Sequence, residues 1–189
     1  LNPAITTYNK AIELKPILNF SMQFARIYGE QGEIEKMFSS YIDFAEANPN
    51  YIDSIKRYVS DFISEDNTNE NNIFLRKILL KKIQQSPNLM WNEMLSWLFI
   101  QQKEFNKTFA QEKAIYKREL ESLDRIIELG LIAENQKQYE EALSIFNFII
   151  ETTQDIDTKL TGHLKVLQIK TKSGLPETYQ DIKTDYVSI

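Results

Sequence analysis

Helix-stopping prolines and helix-opening aromatic residues recur along this chain at one interval, and that interval limits the folds open to it. Pro16 and Pro49 lie 33 residues apart. Phe105 and Tyr139, each opening a run of apolar residues at helical spacing, lie 34 apart. A period of this length marks one supersecondary unit repeated in tandem. The clearest unit carries Ile126, Leu129 and Ala133, then Tyr139, Ala142, Leu143, Phe146, Ile149 and Ile150. Both runs follow i, i+3, i+4, i+7 spacing, which puts an apolar stripe on one face of each helix. The polar turn Asn135-Gln136-Lys137-Gln138 separates them, so the unit is a helical hairpin.

Composition points the same way. Apolar residues make up 42% of the 189, and five Gly and five Pro are too few for the turns of an all-β chain. The absence of cysteine excludes disulfides, thiolate zinc sites and a cysteine nucleophile. The formal net charge is -5 with Lys and Arg dispersed, so there is no basic stripe for a nucleic-acid backbone. The apolar patch from Leu95 to Ile100 is far short of the roughly 18 residues of a membrane span.

The remaining units are less regular. Ala4 to Pro16 is one helix closed by its proline. In the next unit Phe24, Ala25 and Tyr28 precede a turn at Gly32, followed by Ile34, Met37, Tyr41 and Phe44, and Asn48-Pro49-Asn50 ends it. Ile55, Tyr58, Val59 and Phe62 make a further helix, and Ile73, Leu75, Ile78, Leu79 and Ile83 its partner. Between these, Ser64 to Asn72 replaces the tight turn and lengthens Pro49 to Pro87 to 38 residues. Asn and Asp favour turns, so an exposed, mobile loop is expected there. Leu95, Ser96 and Phe99 precede Phe105, Phe109, Glu112, Ile115 and Tyr116, with a charge at Glu112 where the pattern asks for an apolar residue. No Gly or Pro follows Phe105 before Gly130, so that helix can run on with little break. Asp157 to Lys172 is a last long helix; Gly174-Leu175-Pro176 stops it, leaving Glu177 to Tyr186 as a short final helix or a frayed tail.

Gly130 and Ala133 on the first helix of the clear unit, Tyr139 opening the second, and Ala142 and Phe146 within it resemble the tetratricopeptide repeat. Met37 and Phe44 depart from it, standing where that family prefers alanine, which implies looser or shifted packing. The resemblance implies an all-α, right-handed superhelical solenoid of antiparallel hairpins. Its units would be a lone second helix (1–16), hairpins 17–50, 51–87, 88–120 and 121–154, and a terminal first helix with tail (155–189). A chain opening on half a unit is expected to be cut from a longer array, and the abundance of Asn, Ile and Lys suggests an AT-rich bacterial genome.

The resemblance further implies a protein or peptide partner held in a concave groove lined by the first helices. The implied lining is Asn19, Met22, Arg26 and Glu30; Asp53, Lys56 and Ser60; Glu93, Trp97 and Gln101; and Asp124, Ile127, Leu131 and Asn135. Aromatic and arginine side chains dominate binding energy, so Trp97, as an exposed anchor, and Arg26 lead this set; the alternative for Trp97 is packing against a neighbouring hairpin. Trp91 and Trp97 are six residues apart and face different sides of a helix, at about 240°. Only Arg26 and Lys56 are available for the family's grip on a peptide carboxylate. The competing reading is a spacer or subunit contact in a larger assembly, with an empty groove. His163, the sole histidine, has no second ligand at metal spacing, and no phosphate loop or nucleophile motif occurs. A catalytic residue, a metal and a cofactor are accordingly not expected. For stability, Ala142→Asp or Tyr41→Ala should cost more than any change between Glu65 and Asn72.

Overall fold

The computed structural model describes residues 3–119 and 122–173. Among them are ten α-helices and no strand: α1 (Pro3–Leu14), α2 (Ser21–Glu30), α3 (Ile34–Ala47), α4 (Ile52–Ser60), α5 (Glu70–Gln85), α6 (Leu89–Gln101), α7 (Phe105–Glu119), α8 (Asp124–Asn135), α9 (Tyr139–Thr152) and α10 (Ile156–Ser173). The fold class is all-α. The expected final helix or tail at 177–186 lies outside the described residues.

Two compact units divide the chain, Leu1–Lys103 and Glu104–Ile189. In the first, α2 packs on α3, α3 on α4, and α5 on both α3 and α6. In the second, α7 packs on α8, α8 on α9 and α9 on α10. Segments 17–50 and 121–154 thus hold the pairs α2–α3 and α8–α9. Segment 88–120 holds α6 and α7, and the boundary between the units falls between them. Segment 51–87 holds α4 and α5, but α5 packs chiefly on α3 and α6 rather than on α4.

Polar side chains start the helices where the sequence supplies them. The Asn69 and Asn88 side chains accept the backbone N–H groups of Asn71 and Met90 at 3.0 and 2.9 Å. The Asp155 carboxylate accepts from the Thr158 N–H at 2.8 Å ahead of the first turn of α10. Three helix exits share one device. Gly32, Lys103 and Lys137 have φ of 72°, 56° and 61°, each two residues before the next helix begins. After α2 the Glu33 N–H donates to Tyr28 O, and after α8 the Gln138 N–H donates to Ala133 O, both at 2.9 Å. A left-handed residue followed by this six-residue bond is the Schellman ending, which satisfies carbonyls the helix leaves open.

The first core is apolar: Phe38, Ile42, Ile55, Leu75, Trp91 and Leu98 are buried together. α1 contributes no buried residue; its Tyr8 ring stacks on Phe20 at 4.6 Å and meets Phe24 edge-on at 5.9 Å. Met37 is buried in place of the expected alanine. A Cβ on Gly29 would stand 2.9 Å from the Met37 sulfur, so the missing side chain on α2 makes the room. The clear unit uses the opposite arrangement: a Cβ on Gly130 would be 2.9 Å from Phe146 Cζ. Small against large sets the helix spacing in both.

In the stretch expected to be an exposed, mobile loop, Ser64 to Thr68 are exposed, and side chains of the following helix bind its backbone. Residues 70–72 belong to the first turn of α5, and Asn72 is fully buried. Its carbonyl oxygen accepts from the Ser64 N–H at 3.2 Å, and its amide donates to Ser64 O at 2.7 Å and Asp66 O at 2.6 Å. Asn71 donates to Phe62 O at 2.8 Å. Buried amides must be satisfied, and here the side chains of the incoming helix satisfy the loop backbone. Two hydrogen bonds from Thr68, one from its hydroxyl and one from its backbone N–H, hold the Asp66 carboxyl below its ordinary value. The continuous helix expected beyond Phe105 also breaks, since α7 ends at Glu119 and α8 starts at Asp124.

Candidate functional site

The implied groove residues divide between the two units. In the first, Asn19 precedes α2, and its side chain accepts from the Ser21 N–H at 2.9 Å, so it serves the helix start. Met22, Arg26 and Glu30 follow at four-residue steps along one face of α2. Arg26 and Glu30 are exposed, whereas Met22 is half-buried against the apolar core. Burial pushes the Tyr41 phenol above its ordinary value against the pull of the nearby Arg26 charge. On α4, Lys56 pairs with Asp53 at 3.3 Å and the Ser60 hydroxyl donates to Arg57 O at 2.7 Å. With Lys56 so engaged, a carboxylate grip by Arg26 and Lys56 has only one uncommitted cation.

On α6, Gln101 is exposed, and Glu93 is half-buried and has a partner within the chain. Trp91 is buried outright. Trp97 is not the exposed anchor that was expected: it is half-buried and packed against the core of the first unit. α6 is apolar around most of its circumference, so two tryptophans at unlike angles both find apolar neighbours.

In the second unit Asp124 and Asn135 are exposed at the two ends of α8, and Ile127 and Leu131 are half-buried between them. Asp124 accepts from the Ser122 hydroxyl at 2.6 Å. Ile127 lines a shallow cleft of about 180 Å³ with Phe146 and Ile149 of α9 and Asp157, Thr158 and Thr161 of α10. A larger cleft of about 350 Å³ lies between α3 and α5, walled by Glu35, Asp43, Lys77 and Lys82. Two of its lysines are paired, Lys77 3.8 Å from Glu35 and Lys82 3.0 Å from Asp43 and 2.6 Å from Glu46. Burial opposes the Lys82 charge, but the bonds to Glu46 and Asp43 prevail and raise its pKa.

Two buried glutamates escaped sequence reasoning in different degrees. Glu112, noticed as a misfit, is 5% exposed and takes two hydrogen bonds from Arg125, at 2.9 and 2.8 Å. This forked pair joins α7 to α8 and explains how a charge fills an apolar slot. Glu134 gave no signal. It is 8% exposed, and Lys165 and Lys172 of α10 reach it at 2.9 and 2.7 Å. Burial works against its charge, but the bonds from Lys172 and Lys165 outweigh it and hold the carboxyl below its ordinary value. Partners 31 and 38 residues away are invisible to local pattern.

These ionic contacts are committed to holding helices together. His163 is half-buried on α10. Among the described residues no group of three His, Cys, Asp or Glu is placed to hold a metal ion, and no helix is long and apolar enough to cross a membrane. In comparisons with known proteins, the chain matches no protein-family model and no curated protein.

Proposed function

We propose that this chain is a divergent tetratricopeptide-type array, a right-handed solenoid segment that binds a protein or peptide in a concave groove lined by its first helices and performs no catalysis. The observation that carries this reading is the recurrence of one turn at one spacing. Lys103 and Lys137, both left-handed, are 34 residues apart, and each stands two residues before an aromatic that opens the next helix. Gly32 occupies the equivalent place before α3. Strain in a lysine backbone is kept only where the surrounding geometry demands it. The close approach of Gly130 to Phe146 supports the same packing scheme. No cofactor is required by this reading.

The partner-facing set favoured by exposure is Arg26 and Glu30 on α2, Gln101 on α6, and Asp124 and Asn135 on α8. Affinity capture on the native chain should be compared with two surface variants, Arg26→Glu and Asn135→Lys, and with a control on the other helix set, Lys81→Glu. A partner kept by the native chain and the control but lost by either variant supports groove binding. Equal capture by all four moves the contact elsewhere and favours the spacer reading.

A further inference from the structure

We propose that the cleft Ile127 of α8 forms with α9 and α10 is a subsite for one branched aliphatic side chain of a partner peptide, with a lysine or arginine beside it. Ile127 is one of the implied groove residues, so the proposal deepens the groove reading and rests on it. Size decides what can enter. The cleft has a volume of about 180 Å³. Sites for cofactors and drug-sized ligands start at about 300 Å³, whereas about 150 Å³ is enough for benzene. One aliphatic side chain fits, and a cofactor does not. The floor is apolar, made by the buried Phe146 and Ile149 of α9. Gly162 brings the α10 backbone hard against α9, since a Cβ there would stand 2.8 Å from Ile150 Cγ1. Polar groups stand on the α10 side, where Asp157 and Thr161 are exposed and Thr158 is half-buried.

The charge left unspent around the cleft is negative. Among the described residues the Asp157 carboxylate has no partner. Asp124 stands one turn before Ile127 on α8 and Glu128 directly after it, and both are exposed. Cations of the neighbouring helix faces are already taken, Arg125 by Glu112, and Lys165 and Lys172 by Glu134. Lys159 is two residues from Asp157, about 200° round α10 and so on another face. An aliphatic group seated in the cleft carries its neighbour past Asp157, where a cation is attracted and a carboxylate repelled. Asp157 also lies in the first turn of α10, where an acid favours the helix. Stability therefore does not report this role, and peptide preference does.

The full chain, with isoleucine and threonine methyl groups labelled, is titrated with acetyl-leucyl-lysine amide and followed by NMR. Saturable shifts are expected at the methyls of Ile127, Ile149 and Thr161. Acetyl-glycyl-lysine amide has no side chain for the cleft and should bind about tenfold more weakly. Acetyl-leucyl-glutamate amide should bind about threefold more weakly, the margin an exposed carboxylate can set. Asp157→Asn should erase the lysine-over-glutamate margin and keep the shifts. Thr161→Trp, at the exposed edge of the cleft, should remove the leucine-over-glycine preference. Equal binding of all three peptides, no shift at about 20 mM peptide, or a lysine margin that survives Asp157→Asn overturns the proposal. The groove reading fails separately, on equal capture by Arg26→Glu, Asn135→Lys and the native chain, and that result leaves these shifts in place.

Discussion

The two units solve one packing problem with different chemistry. Among the described residues, every buried polar side chain of the first unit is uncharged: Ser40, Asn72, Asn92, Ser96 and Gln102. In the second unit two of three are glutamates, Glu112 and Glu134, and each is held by cations from another helix. The first unit holds its irregular stretch through buried neutral amides bonded to backbone, with one exposed ion pair from Lys103 to Glu65 beside them, whereas the second joins its helices through buried carboxylates. Where the sequence places a polar residue in an apolar slot or lengthens a turn, a specific polar tie takes the place of apolar packing. Neutral ties are insensitive to pH and salt, whereas ionic ones are not.

The largest effect should come from the neutral tie. Asn72→Ala removes three hydrogen bonds, two of them to the Ser64 backbone, from a fully buried side chain, at a cost of about 3 kcal/mol. That is close to the cost of emptying the space of a large buried side chain such as Tyr41. Asn72 thus has to be excepted from the expectation that changes between Glu65 and Asn72 are cheap. Urea denaturation of both variants checks this. A loss below about 1 kcal/mol for Asn72→Ala would mean that the loop resolvates freely and that the first unit rests on its apolar core alone.

Next is a pair of identical substitutions with opposite expected signs. Gly130→Ala drives a methyl into the Phe146 ring, whose atoms are stiffly placed, and should cost about 2 kcal/mol. Gly29→Ala meets only the flexible Met37 thioether, so the gain in helix propensity, about 0.5 to 1 kcal/mol, should largely survive. Thermal melts read both. Equal losses would show that Met37 is as confined as Phe146 and would erase this contrast between the units.

How far the fold was legible follows the range of the interactions involved. Apolar stripes such as Ile126-Leu129-Ala133 act within one helix, so all-α character and most helix positions could be read directly. The α2–α3 and α8–α9 pairings followed from short turns. In segment 51–87 the Asn-rich sequence signals the turn but not what ties it, because Asn72 acts on residues six and eight positions earlier. Trp97 was misjudged because exposure depends on neighbours that α6 acquires only on folding. Glu112 announced itself as a misfit but not its partner. The implied partner-binding residues are the least legible, since exposed polar residues at helical spacing look alike whether or not they meet a partner.

Charge ties should show a smaller effect with a definite sign. The Glu134 carboxyl is held below its ordinary value, so its contribution is present above the usual carboxylate range and is lost as pH falls through the depressed value. Lys172 is raised by its bond to Glu134, so its share is present at neutral pH and is lost only as pH climbs above the ordinary lysine range. Glu134→Gln should cost about 1 to 2 kcal/mol at neutral pH. It should also flatten the acid limb of stability for α8 to α10, followed by amide exchange between pH 7 and 3. The first unit also joins α3 to α5 through Lys82 with Asp43 and Glu46, but those carboxylates are about half exposed and so contribute less, and Asp66 is held only by Thr68 in an exposed loop. An acid limb as steep for α3 and α5 as for α8 and α10 would break the distinction drawn between neutral and ionic ties.

The smallest effect separates turns rather than cores. Lys137 holds a left-handed φ of 61° where the first unit has Gly32 at 72°. A Cβ in that region is strained by about 1 kcal/mol, which glycine avoids while losing more backbone entropy on folding. Lys137→Gly should therefore raise stability by about 0.5 kcal/mol, and Gly32→Lys should lower it by about 1 kcal/mol. Matched thermal melts of the two variants test the equivalence of the turns directly. If both substitutions lower stability, Lys137 does more than cap α8, and the resemblance between the turns is geometric coincidence rather than repetition of one unit.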